Sequence, residues 1–152
     1  ILSSAASDVY KRQLTSPRSS LEYSVAHNAS STSEYPYSVD MRAGSIDDDA
    51  ILRTINNGIY ISNLWYLNFS DRNNGRMTGL TRFGCFLVEN GELTAPINTM
   101  RFDDSVYSML GENLIGLTSK KELLIDSGTY EERSTSSARL PGAIVNKFKM
   151  TL

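Results

Sequence analysis

The chain has 152 residues, enough for one domain with a core of its own. Hydrophobic residues make up 40% and charged residues 21%, with basic and acidic residues interspersed to a net charge of −2, so no basic stripe supports nucleic-acid binding. No apolar stretch reaches the roughly 18 residues of a membrane-spanning helix, and the single cysteine, Cys85, excludes an intrachain disulfide and fits a reducing, cytoplasmic setting.

The first residues, SSAASDVYKRQ at 3–13, look like the in-frame translation of a sequencing adapter. Residues 1–13 are therefore expected to be a non-native tail, and the domain to be 14–152, cut from a longer protein upstream. Residues 15–40 are rich in Ser, Thr, Asn and Tyr and are broken by Pro17 and Pro36. They read as an extended surface segment with one short strand, Leu21 to Val25, anchored by Tyr23, Tyr35 and Tyr37.

Ser45 to Asn57 reads as a short helix. Ser45 and Asp48 have the spacing of a capping pair, and Asp47, Asp48 and Asp49 suit the positive end of the helix dipole. The three aspartates are a poor metal cluster, since consecutive helical side chains diverge. Ile51, Leu52 and Ile55 supply the buried face, and Gly58 can end the helix in a left-handed conformation.

A strand follows from Gly58 to Phe69, apolar on both faces, which predicts cover on both sides. Ser70 to Arg76 is a polar connection in which Gly75 supplies a positive φ. Met77 to Glu89 is the returning strand, and Gly84 in its middle predicts a bulge. Asn90-Gly91 is a type I′ hairpin signal, leading to a third strand from Glu92 to Ile97 at a sheet edge.

Asp103 to Leu114 is predicted as a second helix, capped by Asp103 or Asp104, with Val106, Leu110 and Leu114 at helical spacing. Short strands then read from Leu114 to Leu117, Glu122 to Asp126 and Ala143 to Thr151, around a polar loop from Gly128 to Arg139. The fold class is α+β and β-rich: an antiparallel meander, sandwich-like or curled into a partial barrel, with two short helices.

The chemistry is sparse. A catalytic zinc site needs about three protein ligands, yet the chain has one histidine and one cysteine. His27 sits in a Ser-rich loop and reads as solvated. Cys85 reads as a buried structural thiol. No nucleophile elbow, phosphate loop or dinucleotide fingerprint occurs, and the acceptor patterns at Asn28 and Asn68 are too short to carry meaning. Arg82 and Arg101, each followed by an aromatic, must find carboxylates such as Glu89, Glu92 or Asp104, or reach solvent. They could also line a peptide channel. Trp65-Tyr66 could serve a free-standing adaptor or carbohydrate-binding module, although adjacent strand residues point to opposite faces.

Several phrases together resemble the C-terminal domain of the TldD/PmbA family of zinc metallopeptidases. They are Gly58-Ile59 with Leu64-Trp65-Tyr66; Asp71 with Gly75; Thr78-Gly79, Thr81-Arg82; Glu89 to Glu92; Pro96 with Arg101-Phe102; and Leu140-Pro141 with Asn146 and Phe148. The resemblance implies a cytoplasmic prokaryotic peptidase acting on peptides or unfolded segments, as a homodimer or a hetero-complex with a paralogue. It implies zinc in the full-length parent, held by two histidines and a glutamate on an upstream helix and by a cysteine near the late polar loop. No cysteine lies in 128–139, and Cys85 cannot take that role. The domain itself is then expected to lack catalytic and metal-binding residues, and to contribute cavity wall, dimer surface and a substrate face from Arg82, Arg101, Trp65 and Tyr66. The alternative under the same resemblance is an inactive paralogue that scaffolds an active partner or binds peptide.

Overall fold

The computed structural model describes residues 14–28, 34, 36, 38–125 and 136–151. The chain divides into two compact units, Ile1–Asp40 with Leu124–Ala138 and Met41–Leu123 with Arg139–Leu152. The architecture is α+β and β-rich, with two sheets and a few short helices. Among the described residues no helix is long and apolar enough to cross a membrane.

In the first unit, the predicted strand at Leu21 to Val25 is instead the end of helix α1, Pro17–Tyr23. Ser16 is its N-cap, its hydroxyl accepting from the Ser19 N–H at 3.2 Å, and Pro17 opens the first turn. Ser24 closes it in the left-handed region. Glu34 accepts from the Ser16 N–H at 2.9 Å, and that bond lowers the Glu34 pKa below its ordinary value. Tyr23 is 68% exposed rather than packed down as an anchor would be; Tyr35 and Tyr37 lie outside the described residues. Strand β1 is Ser38–Asp40.

In the second unit, the predicted helix begins later than Ser45. The Gly44 and Ile46 N–H groups donate to Thr118 O and Leu117 O, so backbone pairing claims this stretch. A single 3₁₀ turn at Asp48–Ala50 then leads into α2, Ile51–Ile55. The left-handed stop is Asn56, not Gly58. The three aspartates diverge as expected: Asp47 accepts from the Ser119 hydroxyl, Asp48 pairs with Lys120, and Asp49 with Arg53. The Asp48 carboxylate raises the Lys120 pKa.

The main sheet has five strands. β2, Gly58–Asp71, pairs antiparallel with β3, Arg76–Glu89; β3 pairs on its other side with β5, Arg101–Ser105, and with β4, Glu92–Pro96. Asn90 and Gly91 both have positive φ, as the type I′ turn requires. Gly75 also takes positive φ, with the Tyr107 ring so close that a Cβ would meet it at 2.7 Å. Asp71 organises that turn, accepting from the N–H groups of Asn73 and Asn74 and from the Asn74 side chain.

Two predictions fail here for long-range reasons. Asp103 and Asp104 cap no helix; they lie in β5. Asp103 binds Arg76 through two guanidinium nitrogens at 3.1 and 2.7 Å, 27 residues away. Asp104 is 2% exposed and accepts from the N–H groups of Ser105 and Lys149. Only Val106–Met109 remains helical, as α3. β6, Leu114–Ile125, is one strand where two were expected, and it lies beside β7, Ser137–Val145. The expected final strand is broken by Lys147 at positive φ, so that β8, Met150–Thr151, crosses to pair with β5. Of the predicted polar loop, 128–135 falls outside the described residues and Ser137 to Arg139 belongs to β7.

Cys85, Val88, Phe102 and Ile144 are the buried apolar side chains among the described residues. Phe102 stacks on Phe148 at 5.1 Å. Ile51, Leu52 and Ile55 are half-buried. The two-sided cover predicted for β2 is not found: Trp65, Leu67 and Phe69 are 45%, 47% and 55% exposed.

Candidate functional site

Irregularities in the β2–β3 ladder build the site. Trp65 pairs with Leu80 and Asn68 with Thr78, so Tyr66 and Leu67 both oppose Gly79. Asn63 pairs with Arg82 and Ile61 with Cys85, so Phe83 and Gly84 both oppose Ser62. The first is a bulge on β2, and the second falls where Gly84 predicts one. The residues carrying positive φ are Tyr66 at 52° and Phe83 at 62°. Each such bulky residue costs about 1–3 kcal/mol of backbone strain, so the surroundings must hold it there.

Gly79 makes the first bulge possible. A Cβ on it would meet Phe102, Leu67 and Trp65 O at 2.8–2.9 Å. At the second bulge the Ser62 hydroxyl and the buried Cys85 thiol both reach Arg82 O, at 3.2 and 3.5 Å. Cys85 is thus a structural thiol.

The bulges present rings to solvent. Tyr66 and Phe83 are 71% and 70% exposed. Trp65 and Tyr66 do not diverge as alternation predicts; the bulge brings their rings to 5.9 Å, edge to face. The Arg82 guanidinium lies 4.4 Å from the Trp65 ring centre and 5.0 Å from that of Phe83. Such contacts are worth about 0.5–1 kcal/mol each at exposed sites.

Opposed residues of an antiparallel pair share a face. Leu80 opposes Trp65 on one side and Arg101 on the other, so Trp65, Leu80 and Arg101 form a row. Arg82 is two residues along β3 on the same face. Arg101 Nε donates to the Thr78 hydroxyl at 3.4 Å. Neither Arg82 nor Arg101 pairs with a carboxylate among the described residues; Glu89, Glu92 and Asp104 do not serve them. Both are exposed and reach solvent. All four sequence-predicted residues therefore meet on or beside one outer face. Phe83 was missed, although it stands directly between Arg82 and Gly84.

No group of three or more His, Cys, Asp or Glu side chains among the described residues could hold a metal ion. The donor set of the described residues does not fit zinc, and no chemical step here runs through one. His27 is exposed. A shallow depression lined by Asn73, Asn74, Arg76, Ser105, Tyr107, Ser108 and Glu112 lies by the β2–β3 turn; in it the Ser108 hydroxyl donates to the Glu112 carboxylate at 3.0 Å and accepts from the Asn113 side chain.

The family profile described as PmbA/TldA metallopeptidase C-terminal domain matches residues 9–152. No curated protein matches. Among solved structures, the fold is similar to TldE from Thermococcus kodakarensis, with TM-score 0.59 and 18% identity over 75% of this chain and 23% of that one. It is also similar to a proposed modulator of a DNA gyrase from Thermotoga maritima, with TM-score 0.69 and 12% identity over 91% of this chain and 30% of that one. At these identities the likeness is one of fold. The chain spans less than a third of either protein.

Proposed function

We propose a function from one premise: this chain belongs to the PmbA/TldA metallopeptidase family, of which it is the C-terminal domain. In this reading the domain is a non-catalytic, peptide-holding wall of a cytoplasmic peptidase that works on peptides or unfolded segments. Its parent acts as a homodimer or with a family paralogue, and part of this domain's surface serves that assembly. Zinc belongs to the parent's upstream part and not to these residues.

The observation that supports this is the outer face on which Arg82 stacks against Trp65 beside Tyr66, with Arg101 in the same row. Rings provide sequence-tolerant apolar contact, and guanidinium groups bind backbone carbonyls or carboxylates. Strained residues that expose apolar rings are difficult to explain by packing alone.

A second reading is an inactive paralogue that scaffolds an active partner. It is favoured by the absence of cysteine from 128–139, where the resemblance locates a zinc ligand. The full-length protein decides between them by peptide hydrolysis with and without a chelator. A chelator-sensitive activity whose KM rises severalfold in Arg82→Ala and Arg101→Ala, with kcat retained, supports the first. Inactivity alone with activation of a paralogue supports the second. Chelator-insensitive hydrolysis counts against both.

A further inference from the structure

We propose that the Trp65–Leu80–Arg101 face selects extended segments carrying an acidic side chain, whose carboxylate is held between Arg82 and Arg101. This rests on the peptide-holding reading above and specifies its substrate class.

Two exposed arginines set beside aromatic rings on one sheet face carry the inference. Arg76 is matched by Asp103, Arg53 by Asp49 and Lys120 by Asp48, whereas Arg82 and Arg101 pair with no carboxylate among the described residues. Asp103 Oδ1 accepts from two guanidinium nitrogens of Arg76 and from the Ser70 hydroxyl.

Arg82 and Arg101 lie on neighbouring strands in a diagonal relation, Arg101 opposing Leu80 and Arg82 lying two residues on. Diagonal neighbours stand about 7–8 Å apart at the backbone, within reach of one another for long side chains. Two unmatched positive charges at that spacing repel, and a carboxylate between them removes the repulsion while taking up N–H donors from both.

Arg82 is already oriented. The Trp65 and Phe83 rings flank its guanidinium, which leaves its in-plane N–H groups as the free donors. Arg101 uses Nε on Thr78, which leaves its terminal nitrogens. The face is open and flat. Peptide termini are captured in closed backbone nests, and the donors here are side chains on a sheet, which suits a carboxylate projecting from the middle of an extended segment.

Trp65 is the sole tryptophan of the chain and lies against Arg82, so its emission reports occupancy. The protein is titrated with hexapeptides blocked at both ends that carry central glutamates, central glutamines or central lysines, and with a neutral hexapeptide bearing a free C-terminal carboxylate. The expected result is that the glutamate peptide binds about tenfold more tightly than the glutamine peptide, with the preference eroded by salt. Arg82→Ala and Arg101→Ala should each abolish the preference. The double charge reversal Arg82→Glu with Arg101→Glu should transfer it to the lysine peptide, with circular dichroism verifying the fold. Equal binding of glutamate and glutamine peptides overturns the acidic selectivity but leaves the peptide-holding face intact. Preference for the free C-terminus overturns the side-chain assignment. Absence of all binding overturns both readings.

Discussion

Gly79 and Tyr66 face each other across the β2–β3 ladder, and the missing side chain of one permits the left-handed backbone of the other. With Gly79 as the opposing residue, the β2 strand can carry two residues, Tyr66 and Leu67, against one.

Gly79→Ala tests this coupling. Its methyl group would meet the Phe102 ring, Leu67 and the Trp65 carbonyl within 2.9 Å. Overpacking of this kind should cost about 1–3 kcal/mol, read as a lower urea midpoint. The near-ultraviolet circular dichroism of the Trp65–Tyr66 pair should weaken as well. An unchanged midpoint with an unchanged aromatic signal refutes the coupling.

Arg82→Ala removes the cation from the Trp65 ring without touching the core. Stability should fall by about 1 kcal/mol or less, while Trp65 emission changes in intensity or wavelength. Arg82→Lys should recover less than half of the emission change, because an ammonium lacks the flat stacking surface. Full recovery by lysine would reduce the contact to simple charge.

Asp104→Ala leaves the N–H groups of Ser105 and Lys149 without their acceptor at a buried position. The expected loss is about 1–3 kcal/mol, with hydrogen exchange at Met150 and Thr151 rising as β8 detaches. Exchange rising equally everywhere would instead indicate global destabilisation.

The Asp71 carboxyl should titrate below its ordinary value of 3.8, because the Asn74 carboxamide and then the Asn74 and Asn73 N–H groups donate to its ionised form. A folded pKa depressed below the unfolded one contributes stability that is present above the unfolded value and lost as pH falls through the folded one. The β2–β3 turn should therefore hold from neutrality down to about the ordinary carboxylate range and loosen beneath it. Carboxyl-detected NMR of Asp71 measures this directly; a midpoint at or above 3.8 contradicts the turn geometry.

The β2–β3–β4 meander was legible because its signals are local: uninterrupted apolar strands, Gly75, Asn90-Gly91. Asp103 and Asp104 were misread because a capping aspartate and a strand aspartate look alike until the partner is known. Here the partners, Arg76 and Lys149, are 27 and 45 residues away. Ser16-Pro17 does carry a local signal for α1, though Tyr23 and Val25 read as strand. Of the outer face, the residue types could be picked from the sequence and their convergence could not. Alternation places Trp65 and Tyr66 apart, and only the register against Gly79 reveals the bulge that reunites them.

Strand β2 has a further consequence. It is the terminal strand of its sheet, and among the described residues no other strand pairs with its outer edge. From Gly58 to Ser70 it contains no charged residue. Sheet margins are commonly guarded against self-association by lysine, proline or a kink, and here the guards within that stretch are the irregularities of the ladder, at Ser62, at Tyr66 and between Phe69 and Asp71. Whatever straightens β2, whether heat, acid or a repaired bulge, should convert a strand terminus into a seed for aggregation. The bulge that displays the aromatic rings would then also help to keep the strand from pairing with a second copy of itself.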